Sequence, residues 1–176
     1  SATFTVPYCG DLYDENNESF SATLSNPSNG VIGTASATAT INDDDAAPII
    51  SVSDVSVCEP ETGTAAAVFT ITRTGPSYLT STVNVNTVDG TATTTDNDYV
   101  GILTPGGQQF TFNPTVTTLT VPVTVNGDTK FETDETFTLQ IVGSSSDVVV
   151  NPVGGADPIG LGIIINSGAG CTGDAA

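Results

Sequence analysis

The chain has 176 residues and carries 20 Asp plus Glu against 2 Lys plus Arg, a formal charge of −18. Phosphate binding needs a basic surface, so nucleic acid is excluded as a partner, and an anionic membrane surface is excluded on the same ground. With no His, the usual general base and the Ser–His and Cys–His nucleophilic pairs are missing. A carboxylate pair could still hydrolyse a glycoside, but sugar sites normally carry aromatic platforms, and 4 Tyr and 7 Phe with no Trp are few; no enzyme is expected.

In chain order, three alternating segments come first, Ala2 to Tyr8, Glu18 to Ser25 and Thr34 to Ile41. A short acidic linker follows, Asn42-Asp43-Asp44-Asp45-Ala46-Ala47-Pro48, stiffened at its end by proline. Then come seven candidate strands: Ile49 to Val55, Ala66 to Thr72, Thr82 to Val88, Gln108 to Phe112, Thr117 to Val125, Glu135 to Val142 and Ile159 to Ile165. Thr, Val, Ile and Ser alternate in these runs, and Gly, Pro, Asn and Asp separate them. No segment has helical periodicity. The expected class is all-β, an antiparallel sandwich of the immunoglobulin type. No segment reaches the ~18–20 apolar residues that span a bilayer, so direct membrane insertion is not expected.

Two stretches share one acidic frame. Asp11 to Phe20 and Asp128 to Phe137 both read D-x-x-x-E-x-x-E-[ST]-F. Each follows a segment containing Val-Pro (Phe4 to Pro7, Leu119 to Pro122), and each precedes an alternating strand (Ser21 to Leu24, Thr138 to Ile141). Carboxylates repeated at a strand end point to a repeated hard-cation site, since calcium prefers several carboxylate and carbonyl oxygens. Aligned on this frame, residues 1–45 match only the last three strands of the second unit. The expected organisation is therefore half a module over 1–45, a complete module over 46–167 and a tail over 168–176. Three strands alone leave core and edges uncovered. The missing half is expected from another segment of a longer chain or from another subunit by strand addition.

Several further motifs accompany the frame: Ile50-Ser51-Val52 with Val57-Cys58-Glu59-Pro60, Val88-Asp89-Gly90-Thr91-Ala92, Asn97-Asp98-Tyr99, Gly127-Asp128 and Thr40-Ile41-Asn42-Asp43-Asp44-Asp45. Together they resemble the Calx-beta domain, the calcium-binding module of sodium–calcium exchangers, an integrin and many bacterial surface proteins. The resemblance covers nearly the whole chain. It implies Ca2+ held at one tip of the sandwich, with the module's trailing acidic linker contributing, so that the ion stiffens the join to the next module. Carried over, the ligand set of the full module is Glu59, Asp98, Asp128, Glu132 and Glu135, with the carbonyl of Lys130. Asp89 is added, although a turn residue before Gly90 explains it equally well. Asp134 is expected to face outward, because the repeat has Asn17 there. The half-module contributes Asp11, Glu15, Glu18, Asp43, Asp44 and Asp45. One departure stands out. Where the family has a trailing Asp run, the full module ends Ile165-Asn166-Ser167-Gly168, so its site is expected to be weaker, to hold fewer ions or to be empty.

Cys9, Cys58 and Cys171 make an odd count, which in an exported protein means an intermolecular bridge or a free thiol. In a sandwich of the family's topology Cys58 and the end of the last strand lie near the same tip, which puts Cys58–Cys171 within reach and leaves Cys9 over. The functional expectation is a calcium-binding structural module of an extracellular bacterial fibre, stalk or adhesin. Its partners are copies of itself or neighbouring repeat modules, joined head to tail with strand complementation. The alternative is a calcium-sensing module of a larger membrane-associated protein.

Overall fold

The structure, a computed structural model, describes residues 2–130, 132–150, 157–166 and 171. Among these residues all regular structure is β. The strands are β1 (Glu18–Thr23), β2 (Ser36–Ile41), β3 (Ile49–Val52), β4 (Val55–Cys58), β5 (Gly63–Thr74), β6 (Ser81–Asp89), β7 (Gln108–Phe112), β8 (Thr118–Gly127), β9 (Glu135–Ser144), β10 (Val149–Val150) and β11 (Ile159–Ile165). Most of the expected tail lies outside the described residues.

From Ile49 onward the strands form two facing sheets, ordered β10-β3-β5-β8 and β4-β11-β9-β6-β7. Successive side chains of a strand point to opposite faces, and the sequence obeys this closely. Val121, Val123 and Val125 of β8 are buried while Pro122 and Thr124 face out. The core between the sheets is Ile50, Phe69, Ile71, Val83, Val85, Phe112, Val121, Val123, Val125, Phe137, Leu139 and Ile164. Each such side chain contributes about 1.5–3 kcal/mol by leaving water.

The run Ile49 to Val55, expected as one strand, is two. The chain leaves one sheet after Val52 and enters the other at Val55. The crossing is held by Ser53, whose Oγ accepts the Thr70 N–H at 3.1 Å, and by Asp54, whose carboxylate accepts the Leu161 N–H at 2.8 Å. β4 can then pair in parallel with β11, Ile165 opposite Cys58. This switch carries Glu59 to the same end of the sandwich as the loops after β8 and before β9.

In residues 1–45, β1 and β2 pair antiparallel with Glu18 opposite Ile41. In the full module β9 and β11 pair with Glu135 opposite Ile164. The hairpin thus repeats the β9–β11 pair in the same register. Ala2 to Tyr8, expected as a strand, makes no ladder. Its counterpart in the full module is β8, which pairs along its length with β5. Among the described residues no segment of the first unit is equivalent to β5, and this stretch pairs with no strand there. Phe4 and Tyr8 are 71% and 72% exposed.

The hairpin unit meets the full module at the end opposite Glu59. Asp14 is buried there. Its N–H donates to the Pro76 carbonyl at 3.3 Å, its carbonyl accepts the Tyr78 N–H at 3.2 Å, and its carboxylate accepts the Ser77 hydroxyl at 3.1 Å. The Tyr13 and Tyr78 rings stack at 4.3 Å. Asp14 lies inside the first acidic frame, so the loop that presents Asp11, Glu15 and Glu18 is also the loop that docks on the next module.

Candidate metal centre

The end of the full module beyond β4, β8 and β11 gathers carboxylates from three separate segments: the stretch after β4, the β6–β7 connection and the β8–β9 connection running into β9. Glu59 follows β4, and its N–H donates to the Ile165 carbonyl at 3.1 Å. Asp128 follows β8. Its Oδ1 accepts the Lys130 N–H at 2.7 Å, a side-chain turn that aims the loop back across the tip. Gly127 permits this path: a Cβ there would lie 1.8 Å from the Pro60 carbonyl oxygen. Asp98 comes from the β6–β7 connection, after Asn97 in the left-handed region at φ 70. The Asp98 carboxylate accepts the Thr93 N–H at 2.7 Å, and its carbonyl accepts the Asn126 N–H at 2.9 Å, tying this loop to the end of β8. Glu132 and Glu135 lead into and start β9.

Glu59, Asp128 and Glu132 bring one oxygen each within 4.8 Å of one another, and Asp98, Glu132 and Glu135 do the same. Glu132 belongs to both groups. Glu59 and Asp98 are only 7% and 9% exposed. The Glu135 carboxyl is pushed up to about 7, first by burial and then by repulsion from Asp98 and Glu132. Lys130 answers part of this charge, its Nζ lying 2.8 Å from Glu132 Oε1, and that contact raises the lysine's own pKa. Carboxylates held this close by the backbone fit a small hard cation, whose six to eight oxygen ligands at about 2.3–2.6 Å are what such a tip can offer.

All five carboxylates carried over for the full module therefore meet at one tip. Asp89 stands apart from them. Its carboxylate accepts the Tyr99 hydroxyl at 2.5 Å and the Thr94 N–H and hydroxyl at 3.2 and 3.3 Å, and Tyr99 stacks on Phe137 at 4.4 Å. It braces the wall behind Asp98. Asp134 is exposed, and its Oδ1 accepts the Asn166 N–H at 3.1 Å. Asn17, its counterpart in the repeat, does the same for the Asp43 N–H at 2.8 Å. The repeat keeps an acceptor at this position, and charge is optional.

In the first unit Asp11 Oδ1 accepts the Tyr13 N–H at 2.8 Å, the turn seen at Asp128. Asp11, Glu15, Glu18, Asp43, Asp44 and Asp45 line one cleft. Glu15 is raised by partial burial and then by Asp11, Glu18, Asp43 and Asp45; Asp45 is raised by partial burial and then by Asp43, Asp44, Asp11 and Asp14. Yet no three of these oxygens converge to the 4.8 Å seen at the other tip. Within residues 1–45 no residue matches Glu59 or Asp98 to close the ring.

Cys58, beside Glu59, is bonded to Cys171 with Cα atoms 5.3 Å apart, and Cys9 is free and exposed. Two features were not read from the sequence. Asn166 occupies the tip between Glu59 and Thr133, and its only signal was its place at the end of the last strand. Asp14 looked like one more acid of the frame; that the first frame has Asp where the second has Phe131 was the available clue.

The Calx-beta domain family matches residues 1–45 and 43–157. The chain belongs to the Calx-beta family. The apo form of the Calx CBD1 domain aligns at 23% identity over 68% of this chain and 99% of that one, with a TM-score of 0.54. The tandem CBD12 of CALX1.2 aligns at 24% identity and TM-score 0.53, and the calcium binding domain CBD12 of CALX1.1 at 24% and 0.54; each covers 66% of this chain and 44% of the other. At this identity the likeness shows the shared fold of the Calx-beta module. No curated protein sequence matches the chain.

Proposed function

We propose that this Calx-beta chain is a Ca2+-binding, non-catalytic structural module of an extracellular bacterial fibre, stalk or adhesin. The observation that carries the reading is the convergence of Glu59, Asp98, Asp128, Glu132 and Glu135, from three segments, on one tip. Oxygen-only donors, two of them nearly buried, suit Ca2+ far better than a transition metal. The Lys130 carbonyl is taken as a further ligand. The first unit binds Ca2+ through Asp11, Glu15, Glu18, Asp43, Asp44 and Asp45 once its missing half is in place. That cleft lies directly at the docking point of Asp14, so the ion stiffens the junction between modules.

The uncovered face of Phe4, Phe20, Ala22, Leu24, Ala37 and Ala39 supports completion by neighbouring repeats or by copies of the chain, head to tail. Contacts of that kind build open filaments. A disulfide beside the tip supports an oxidising, extracellular setting, and Cys9 is available for a bridge to another chain. The same disulfide favours this reading over a sensor module inside a membrane-associated protein.

Melting the whole chain in calcium and in chelator tests the reading. A ligand that binds only the folded state adds about 2.7 kcal/mol at 100 times its dissociation constant, so the transition should move up by several degrees. Coincident melts would overturn the calcium assignment.

A further inference from the structure

Asn166 is 1% exposed and sits at the end of β11, beyond the Ile165–Cys58 pair and therefore beside Glu59. Its N–H donates to Asp134 Oδ1 and its Nδ2 donates to the Thr133 carbonyl at 3.0 Å. The second bond fixes which side-chain atom is oxygen, since the opposite assignment would set two acceptors face to face. The remaining atom, Oδ1, is buried and has no hydrogen-bond partner among the described residues. A buried acceptor left unmatched costs about 1–3 kcal/mol, so its presence at this spot needs a reason.

The repeat supplies one. Glu18 opposite Ile41 matches Glu135 opposite Ile164, which places Asp43 on the same backbone station as Asn166. Both N–H groups donate to the same frame position, Asn17 in one unit and Asp134 in the other. One station thus carries a carboxylate in the acidic linker and a carboxamide at the end of the full module.

We propose that Asn166 Oδ1 is a neutral oxygen ligand for the divalent cation of the full-module tip, completing the set begun by Glu59, Asp128 and Glu132. This rests on the calcium reading above. It restores an oxygen at the trailing position without adding a sixth carboxylate to a tip where one carboxyl already resists ionisation. The site keeps its coordination number and gives up one unit of charge, which is one of the ways a calcium site sets its affinity.

The test uses the full chain with the first unit's acids neutralised (Asp11→Asn, Glu15→Gln, Asp43→Asn), comparing Asn166, Asn166→Ala and Asn166→Asp. Europium(III) luminescence decay in H2O and D2O counts waters on the bound ion, and calorimetry gives calcium affinity. Asn166→Ala should add about one water to the ion and weaken calcium about tenfold. Asn166→Asp should leave the water count unchanged and tighten calcium. It should also melt lower than the parent in chelator, where a carboxylate faces the Thr133 carbonyl, and recover in calcium. If the parent binds calcium while both variants keep its water count and affinity, and Asn166→Asp loses the same melting temperature with and without calcium, Asn166 is structural only and the proposal is overturned while the calcium reading stands. A parent that binds neither ion overturns both.

Discussion

Asp98 and Glu135 hold carboxyl oxygens within 4.8 Å of each other across the tip, although one comes from the β6–β7 connection and the other opens β9. Their contact makes the charge state of the tip depend on pH. Burial, Asp98 and Glu132 raise Glu135, Lys130 offsets only part of this, and the result is about 7 against an ordinary 4.5. A carboxyl raised on folding contributes stability that is complete below the unfolded value and lost as pH rises through the folded one. The chelated protein should therefore lose stability between about pH 4.5 and 7, with Glu15 and Asp45 contributing in the same sense. Melts in chelator across that window should show the loss. Glu135→Gln should flatten it; an unchanged slope would remove Glu135 as its source.

Gly127 sets the path of Asp128. Its missing Cβ would meet the Pro60 carbonyl oxygen at 1.8 Å, closer than any side chain tolerates. Gly127→Ala should separate the Asp128 loop from Glu59, costing about 1–3 kcal/mol of stability and most of the calcium affinity. Calorimetry and denaturant melts of this variant are the measurements. Wild-type affinity in a stable Gly127→Ala protein would contradict the role given to this close approach.

Lys130 competes with an ion for Glu132, since its Nζ sits 2.8 Å from Glu132 Oε1. The pair is exposed and weak. Lys130→Gln should tighten calcium roughly two- to fivefold at low salt, less at high salt, while its backbone carbonyl stays in place. A weakened site would show that the ammonium supports the tip.

At the junction, Asp14 reaches Ser77 and Tyr13 stacks on Tyr78. Asp14→Ala and Ser77→Ala should each loosen the two units without touching the Glu59 tip. Small-angle scattering should show a broader distribution of lengths, and limited proteolysis should cut faster in the linker 42–47. Calcium should restore compactness in Ser77→Ala more than in Asp14→Ala, because Asp14 belongs to the acidic loop itself.

Disulfide reduction gives a separate measure of the tip. Cys58–Cys171 closes a long loop beside Glu59, and removing such a bond costs about 2–5 kcal/mol. Cys58→Ser should lower the melting temperature in chelator and weaken calcium by freeing the strand end that carries Glu59. A variant with unchanged calcium affinity would separate the bond from the site.

The sequence by itself determined what is local. Strand alternation follows from a period of two, so most strands from Ala66 to Ile165 are legible with only their ends adjusted. The acidic frame and its repetition are legible because a turn such as Asp128 to Lys130 is closed by neighbours in the chain. Tertiary structure decided everything that depends on which strand ends meet. The crossing at Ser53 and Asp54 brings Glu59 to the tip. Asp89 turns to Tyr99 instead of joining the other acids. Among the described residues Ala2 to Tyr8 joins no ladder, because a strand needs a partner that the residue pattern cannot supply. Asn166 and Asp14 took their roles from contacts across the fold, where burial leaves one oxygen unmatched and seats one carboxylate against the next module. Periodicity is written into neighbouring residues. Convergence of distant oxygens is a property of the packed sheets.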